Sequence, residues 1–172
     1  GIDEKVDIGA QTIAAEQAFS ISFWYMPNSD TNYENYIIGN NSSEDYIRFT
    51  NETEELLIAI NDNNTTVDIP DLTNYKLVHI VVAREAGDNG DIKTYINGVL
   101  IDTHGGDSNT DQEFAYRYLG SYGATASMKG VLDEVSIFNT ELSATEVSEL
   151  FNSGMALDAR DHSEASNLEG YW

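Results

Sequence analysis

The chain has 172 residues, of which 41% are apolar and 10% aromatic, enough to bury one sizeable core but not two. Asp and Glu number 30 against 8 Lys and Arg, a formal net charge of −22, which repels nucleic acid and anionic membrane surfaces and excludes both as partners. There is no cysteine, hence neither a disulfide framework nor a thiolate metal site, and no apolar run approaches the ~18 residues of a membrane span.

The dominant period is two. "FSISFWY" (19–25) alternates Phe19, Ile21, Phe23 and Tyr25 against Ser20, Ser22 and Trp24, a strand with one face in a core. "ENYIIG", "DYIRFT" and "LLIAI" follow as short strands between Asn-, Asp- and Ser-rich turns. "KLVHIVVAR" (76–84) is a central strand, in which His79 reads as a satisfied strand residue. In "DIKTYINGVLIDT", Asn97-Gly98 separates two β runs and predicts a hairpin, because a type I′ turn needs positive φ at both central positions. "YRYLGS" and "MKGVLDEVSIF" supply further strands. One late segment has a helical period: Ser143 with Glu146 makes a capping box, Val147, Leu150 and Phe151 share an apolar face, and Gly154 marks the end. Many short strands, polar turns and one short C-terminal helix predict an all-β, two-sheet antiparallel β-sandwich or jelly roll.

Four phrases in order, "GIDEKVDIG" (1–9), "FSISFWYMP" (19–27), "LVHIVVAREAGDNGDIKTYINGVLID" (77–102) and "MKGVLDEVSIFNTELSATEVSELFNSG" (128–154), resemble the laminin G-like jelly roll of the concanavalin A-like lectin/glucanase superfamily. The aromatic entry to the central strand is reduced here to "NYKLVHI", and residues 28–75 match that family's pattern poorly. The resemblance implies a laminin G-like domain over 1–156. The remainder, 157–172, is then a connector, and its "DHSEASNLEGYW" resembles the start of a following repeat in tandem arrays of bacterial surfaces and phages. Both ends of the chain read as cut from something longer.

In "VLDEVSIF", period two puts Asp133 on the same face as Val135 and Ile137, pointing into the core. A buried carboxylate costs several kcal/mol unless it is satisfied. Two partners are open to it: backbone N–H groups of the opening strand near Asp3, which would lie alongside, or a Ca²⁺ ion shared with that end of the chain. Hard oxygen ligands are all this composition offers a metal, and relatives in the resembled superfamily often carry Ca²⁺. Asp107 and Asp111 in "HGGDSNTDQE" are rival ligands on a rim loop, and "GDNGD" (87–91) and "INDNNTT" (60–66) read mainly as turns.

Catalysis finds no support. Asp133 and Glu134 are adjacent and so face opposite sides of a strand, no acid-x-acid strand is present, and there is no nucleophile elbow. The resemblance therefore implies a non-catalytic carbohydrate-binding or adhesion module, calcium-assisted, on an extracellular, cell-surface or virion-surface protein. Tyr116 and Tyr118, two positions apart, are the expected ligand-facing pair; Trp24 is a further candidate, which reads otherwise as cover for a sheet's outer face or packing under a loop. Tyr25, Tyr33, Tyr36, Tyr46 and Tyr122 are further aromatics of suitable type. The alternative is a structural module that contacts neighbouring protein domains and has no sugar site.

Overall fold

A computed structural model describes residues 5–28, 34–40, 45–50, 53–60, 63–69, 76–106, 112–123 and 128–172. Its strands are β1 (Val6–Ile13), β2 (Phe19–Pro27), β3 (Glu34–Gly39), β4 (Tyr46–Thr50), β5 (Glu55–Ile60), β6 (Asn63–Asp68), β7 (Val78–Arg84), β8 (Ile92–Ile96), β9 (Val99–His104), β10 (Phe114–Leu119), β11 (Gly130–Phe138) and β12 (Leu168–Tyr171), with helix α1 at Ala144–Phe151. They form two six-stranded antiparallel sheets, ordered β1-β10-β3-β4-β5-β6 and β12-β11-β2-β7-β8-β9. This is the all-β, two-sheet class that the period-two pattern predicts. The sheets belong to two compact units, one of Gly1–Ala15, Met26–Lys76 and Gln112–Val131, the other of Glu16–Tyr25, Leu77–Asp111 and Leu132–Trp172.

In the second unit the β2–β7 ladder runs from Phe19↔Arg84 to Tyr25↔Val78 without interruption. One of its faces carries Phe19, Ile21, Phe23, Tyr25, Ile80 and Val82, all buried as expected. The other face, with Ser20, Ser22, Trp24, His79, Val81 and Ala83, is buried too, because α1 and its lead-in cover it. Val147, Leu150 and Leu142 pack with Val81, Ala83, Tyr95 and Phe138 in one apolar cluster. Ser20 ties the lead-in down: its hydroxyl donates to the Thr140 carbonyl (2.9 Å) and accepts the Leu142 N–H (2.8 Å).

The capping box forms as read from the sequence, the Ser143 hydroxyl accepting the Glu146 N–H and the Glu146 carboxylate accepting the Ser143 N–H. The helix ends earlier than Gly154, however. Asn152 takes the left-handed conformation (φ +44°) as C-cap, a role open to asparagine as well as glycine. The Asn97-Gly98 turn is also as expected, with φ of +50° and +79°. Asn97 fixes it against β7 by donating its N–H to the His79 carbonyl (2.9 Å) and accepting the His79 N–H on its side chain (3.0 Å).

Two expectations about β11 fail. The opening strand does not lie beside it: β1 pairs with β10 (Val6↔Leu119 to Ile13↔Phe114) in the first unit. The neighbours of β11 are β2 and β12, and the latter is drawn from the tail read as a connector. Val135 and Trp172 exchange two backbone hydrogen bonds of 2.9 Å, and the Tyr171 hydroxyl donates to the Glu134 carboxylate. Nor does Asp133 point inward. Glu134 adopts φ +52°, which breaks the alternation, so Asp133 is exposed and its carboxylate only accepts the next residue's N–H (3.0 Å).

His79 is buried in a triangle of rings with Trp24 (5.1 Å, tilted) and Phe151 (6.1 Å, stacked), with Nε2 2.8 Å from the Ser22 hydroxyl and Nδ1 without a partner among the described residues. Burial disfavours the imidazolium and pushes its pKa down from 6.5 to about 4. Above pH 6.5 the ring is neutral folded or unfolded. Below it only the unfolded chain takes up the proton, so stability is lost as pH falls from 6.5 toward 4. Denaturant titrations at pH 7.5 and pH 5 should therefore show His79→Gln gaining about 2 kcal/mol on the wild type at the lower pH; parallel pH profiles would contradict the burial argument.

Candidate functional site

The register of β3, β4, β5 and β6 determines which side chains share a face, since directly opposed residues in an antiparallel ladder project to the same side. Ile38, Ile47, Ile58 and Thr65 form one cross-strand row, and Asn35, Phe49, Leu56 and Val67 another; all are buried. A shift between Tyr36 and Ile38 keeps both rows in phase. The opposite face carries three rows. The first is Glu34, Thr50, Glu55 and Asp68; the second is Tyr36, Arg48, Leu57 and Thr66; the third is Gly39, Tyr46, Ala59 and Asn64, continued by Tyr118 of β10. Tyr36, Tyr46, Arg48 and Leu57 on that face are half-buried.

A third tyrosine reaches the face from the turn after β10. Ser121 shapes this turn, its hydroxyl donating to the Gly123 carbonyl (2.8 Å) and accepting the Gly123 N–H (3.1 Å). The turn lays Tyr122 over Gly39, where a Cβ would sit 3.1 Å from Tyr122 Cδ2 and 3.2 Å from its Cα. A Cβ there would need the Tyr122 turn to give by a few tenths of an ångström. The three rings then meet pairwise, with centroids 5.3 Å apart for Tyr36–Tyr46, 5.0 Å for Tyr36–Tyr122 and 5.4 Å for Tyr46–Tyr122. The Tyr46 contacts are edge-on, at 68° and 84°, the geometry aromatic quadrupoles favour.

Arg48 lies among these rings, its guanidinium carbon 5.8 Å from the Tyr36 centroid and 5.6 Å from that of Tyr46. Its Nη1 forms an ion pair with Glu34 and donates to the Tyr36 hydroxyl (3.3 Å), which in turn donates to Glu34 Oε2 (3.4 Å). Burial works against the guanidinium charge, but the Tyr36 hydroxyl and Glu34 carboxylate outweigh it and hold the pKa above its ordinary value. Burial pushes the Tyr46 phenol up, so it stays protonated and keeps its donor. The result is an aromatic surface with one anchored hydroxyl, that of Tyr36, and an ion-paired cation. It offers ring faces and edges for C–H contacts and polar groups for hydroxyls.

The residues singled out by sequence mostly lie elsewhere. Tyr116 and Tyr118 are only 5% and 7% exposed. Tyr116 stacks on Phe114 at 6.0 Å, and Tyr118 is covered by the Lys5 ammonium, 4.2 Å from its centroid and bonded to the Gly123 carbonyl. Trp24 is buried against Phe151 of α1, 5.9 Å away and nearly parallel, so this aromatic serves packing and shows no ligand-facing surface. Asp133 is exposed, while Asp3, Asp107, Asp111 and Tyr33 lie outside the described residues. Among the described residues no three carboxylate or imidazole groups converge as a metal would need, and in "GDNGD" Asp91 accepts the Gly106 N–H (2.9 Å), a turn contact. Sequence reasoning named Tyr36, Tyr46 and Tyr122 singly but missed Arg48 and Glu34. The signal was there in "DYIRFT", whose alternation sets Tyr46 and Arg48 on one face against Ile47 and Phe49.

The laminin G-type family model, described as the concanavalin A-like lectin/glucanases superfamily, matches residues 1–148. The chain belongs to this superfamily. No curated protein matches it in sequence. Among solved structures, one of a protein from Bacteroides ovatus described as carbohydrate-binding is 17% identical with TM-score 0.68, covering 98% of this chain and 48% of that one. Domain 4 of AbnA, an extracellular arabinanase of Geobacillus stearothermophilus solved with arabinotriose, is 21% identical with TM-score 0.58, covering 80% and 68%. A structure of botulinum neurotoxin type C, whose cell entry depends on interaction with two ganglioside molecules, is 24% identical with TM-score 0.58, covering 81% and 36%. This superfamily member thus spans about a third of the neurotoxin chain and half of the Bacteroides one, and at these identities the likeness is one of fold.

The Gly39 contact sets a test of the site's construction. Gly39→Ala should push Tyr122 off the cluster, costing about 1–2 kcal/mol and altering the near-ultraviolet tyrosine dichroism while the far-ultraviolet spectrum is unchanged. An unaltered near-ultraviolet spectrum would mean that the glycine does not hold the rings together.

Proposed function

We propose that the chain is a non-catalytic carbohydrate-binding module whose ligand lies on the half-open Tyr36–Tyr46–Tyr122 surface of the first sheet. The single observation that carries this reading is the cluster itself: three tyrosines and one arginine on the open side of a sheet whose other side is buried. Soluble domains rarely leave such aromatic surface uncovered without use, and tyrosine combines an apolar face with a hydroxyl at small entropic cost. Two neighbours of the same fold, one described as carbohydrate-binding and one solved with arabinotriose, support the reading by analogy. Such a module works outside the cell, on a secreted, cell-surface or virion-surface protein.

The test is an array of neutral and acidic oligosaccharides, with the strongest binder carried into titration calorimetry. Tyr36→Ala and Tyr46→Ala are each expected to weaken that binding about tenfold or more, in line with the loss of a central aromatic contact, while Val99→Ser on β9 leaves it unchanged. Retention of no glycan by the folded wild type would overturn the reading in favour of a protein-contacting module.

A further inference from the structure

The tyrosine surface carries one guanidinium, and the arrangement around it bears on what class of sugar it can take. An arginine beside aromatic rings is well made to seize a ligand carboxylate, because its fork matches two oxygens at once. Here a carboxylate of the same chain already pairs with one end of that fork, while Nε has no partner among the described residues. Glu34 stands two residues before Tyr36 on β3, on the same face, and pairs with Nη1 of Arg48 while the Tyr36 hydroxyl bridges the two.

The surroundings reinforce the effect. The row next to Tyr36, Arg48, Leu57 and Thr66 is Glu34, Thr50, Glu55 and Asp68, so three of its four positions are acidic. Positions two apart along a strand lie ~6.8 Å apart, which puts Glu34 within a Debye length of Tyr36 and Arg48 at physiological salt, with Glu55 and Asp68 standing one and two strands beyond Arg48. Among the described residues, the neighbouring cation Lys5 is seated over Tyr118 and held by the Gly123 carbonyl, and Arg117 is paired with Asp7 (2.8 Å). A net charge of −22 on the chain adds a long-range barrier of the same sign.

We infer that Glu34 is the specificity-determining residue of this surface: by occupying Arg48 it excludes uronate- and sialate-bearing glycans and restricts the site to uncharged ones. The inference rests on the glycan-binding reading above and adds the ligand's charge class to it. A ligand carboxylate would have to displace a partner tethered on the neighbouring strand, and it would then leave Glu34 unpaired beside its own negative charge. A neutral sugar meets neither obstacle, since its hydroxyls need only the tyrosine hydroxyls and ring faces.

The experiment uses pairs of ligands that differ only in charge: polygalacturonate against its methyl ester, and sialyllactose against lactose, alongside neutral arabino- and xylo-oligosaccharides. The wild type should retain only neutral members, and Glu34→Gln, which keeps the side chain's size and frees Arg48, should shift the acidic-to-neutral affinity ratio at least tenfold toward the acidic member. As a check independent of the variant's folding, raising salt from 20 to 500 mM should weaken the wild type's discrimination, because screening shrinks the acidic row's reach. Equal wild-type binding of both members of a pair would overturn the inference and leave the binding reading intact. An unshifted ratio in folded Glu34→Gln would also overturn it, and failure to retain any glycan would overturn both.

Discussion

Everything proposed here depends on a register: β3, β4 and β5 are paired so that Ile38, Ile47 and Ile58 fall in one row and Tyr36, Arg48 and Leu57 in another on the opposite face. Side chains on a strand alternate, so a slip of one residue would drive Arg48 into the buried face and lift the isoleucines into solvent. Burying the three isoleucines alone removes apolar surface worth roughly 1.5–3 kcal/mol per side chain. That energy fixes the pairing, and the pairing in turn fixes the polar face. The proposed binding surface is thus a by-product of core burial, refined by Gly39, over which the turn residue Tyr122 settles against two strand tyrosines.

The second unit shows the other use of an aromatic face. Its β2–β7 ladder places Trp24 and His79 opposite each other, and both would have been exposed had α1 not been laid over them. Phe151 of that helix completes the stack and also packs against the Gly98 turn. Covering this side consumes the aromatics that the strand pattern alone would have offered to a ligand. The two sheets have therefore gone different ways: the β2–β7 ladder of one is buried on both faces, and the other has one face left open.

How much of this could be read in the sequence varied with how local the cause was. The Asn97-Gly98 hairpin and the Ser143–Glu146 capping box are decided by a few adjacent residues, and both were legible. The fate of Asp133 was not, because one left-handed residue, Glu134, cancels the period-two argument and no composition signal announces it. What buries Trp24 was hidden for a related reason: its cover comes from a helix some 120 residues downstream. The pairing of β11 with Leu168–Tyr171 was equally remote. At the site, the alternation in "DYIRFT" carried Tyr46 and Arg48, but Tyr122 joins them only through the β10 turn, and the Glu34–Arg48 pair exists only once β3 and β4 are in register.

The central claim is that the open face of β3, β4 and β5 receives the ligand. Mapping backbone and side-chain chemical shifts of the isotope-labelled protein during titration with the best neutral oligosaccharide tests it most directly. The account predicts that perturbations centre on Tyr36, Tyr46, Tyr122, Arg48 and Leu57 and leave Trp24, His79 and α1 unmoved. Perturbations centred on the β9 edge or on the helix, with the tyrosine cluster silent, would contradict it.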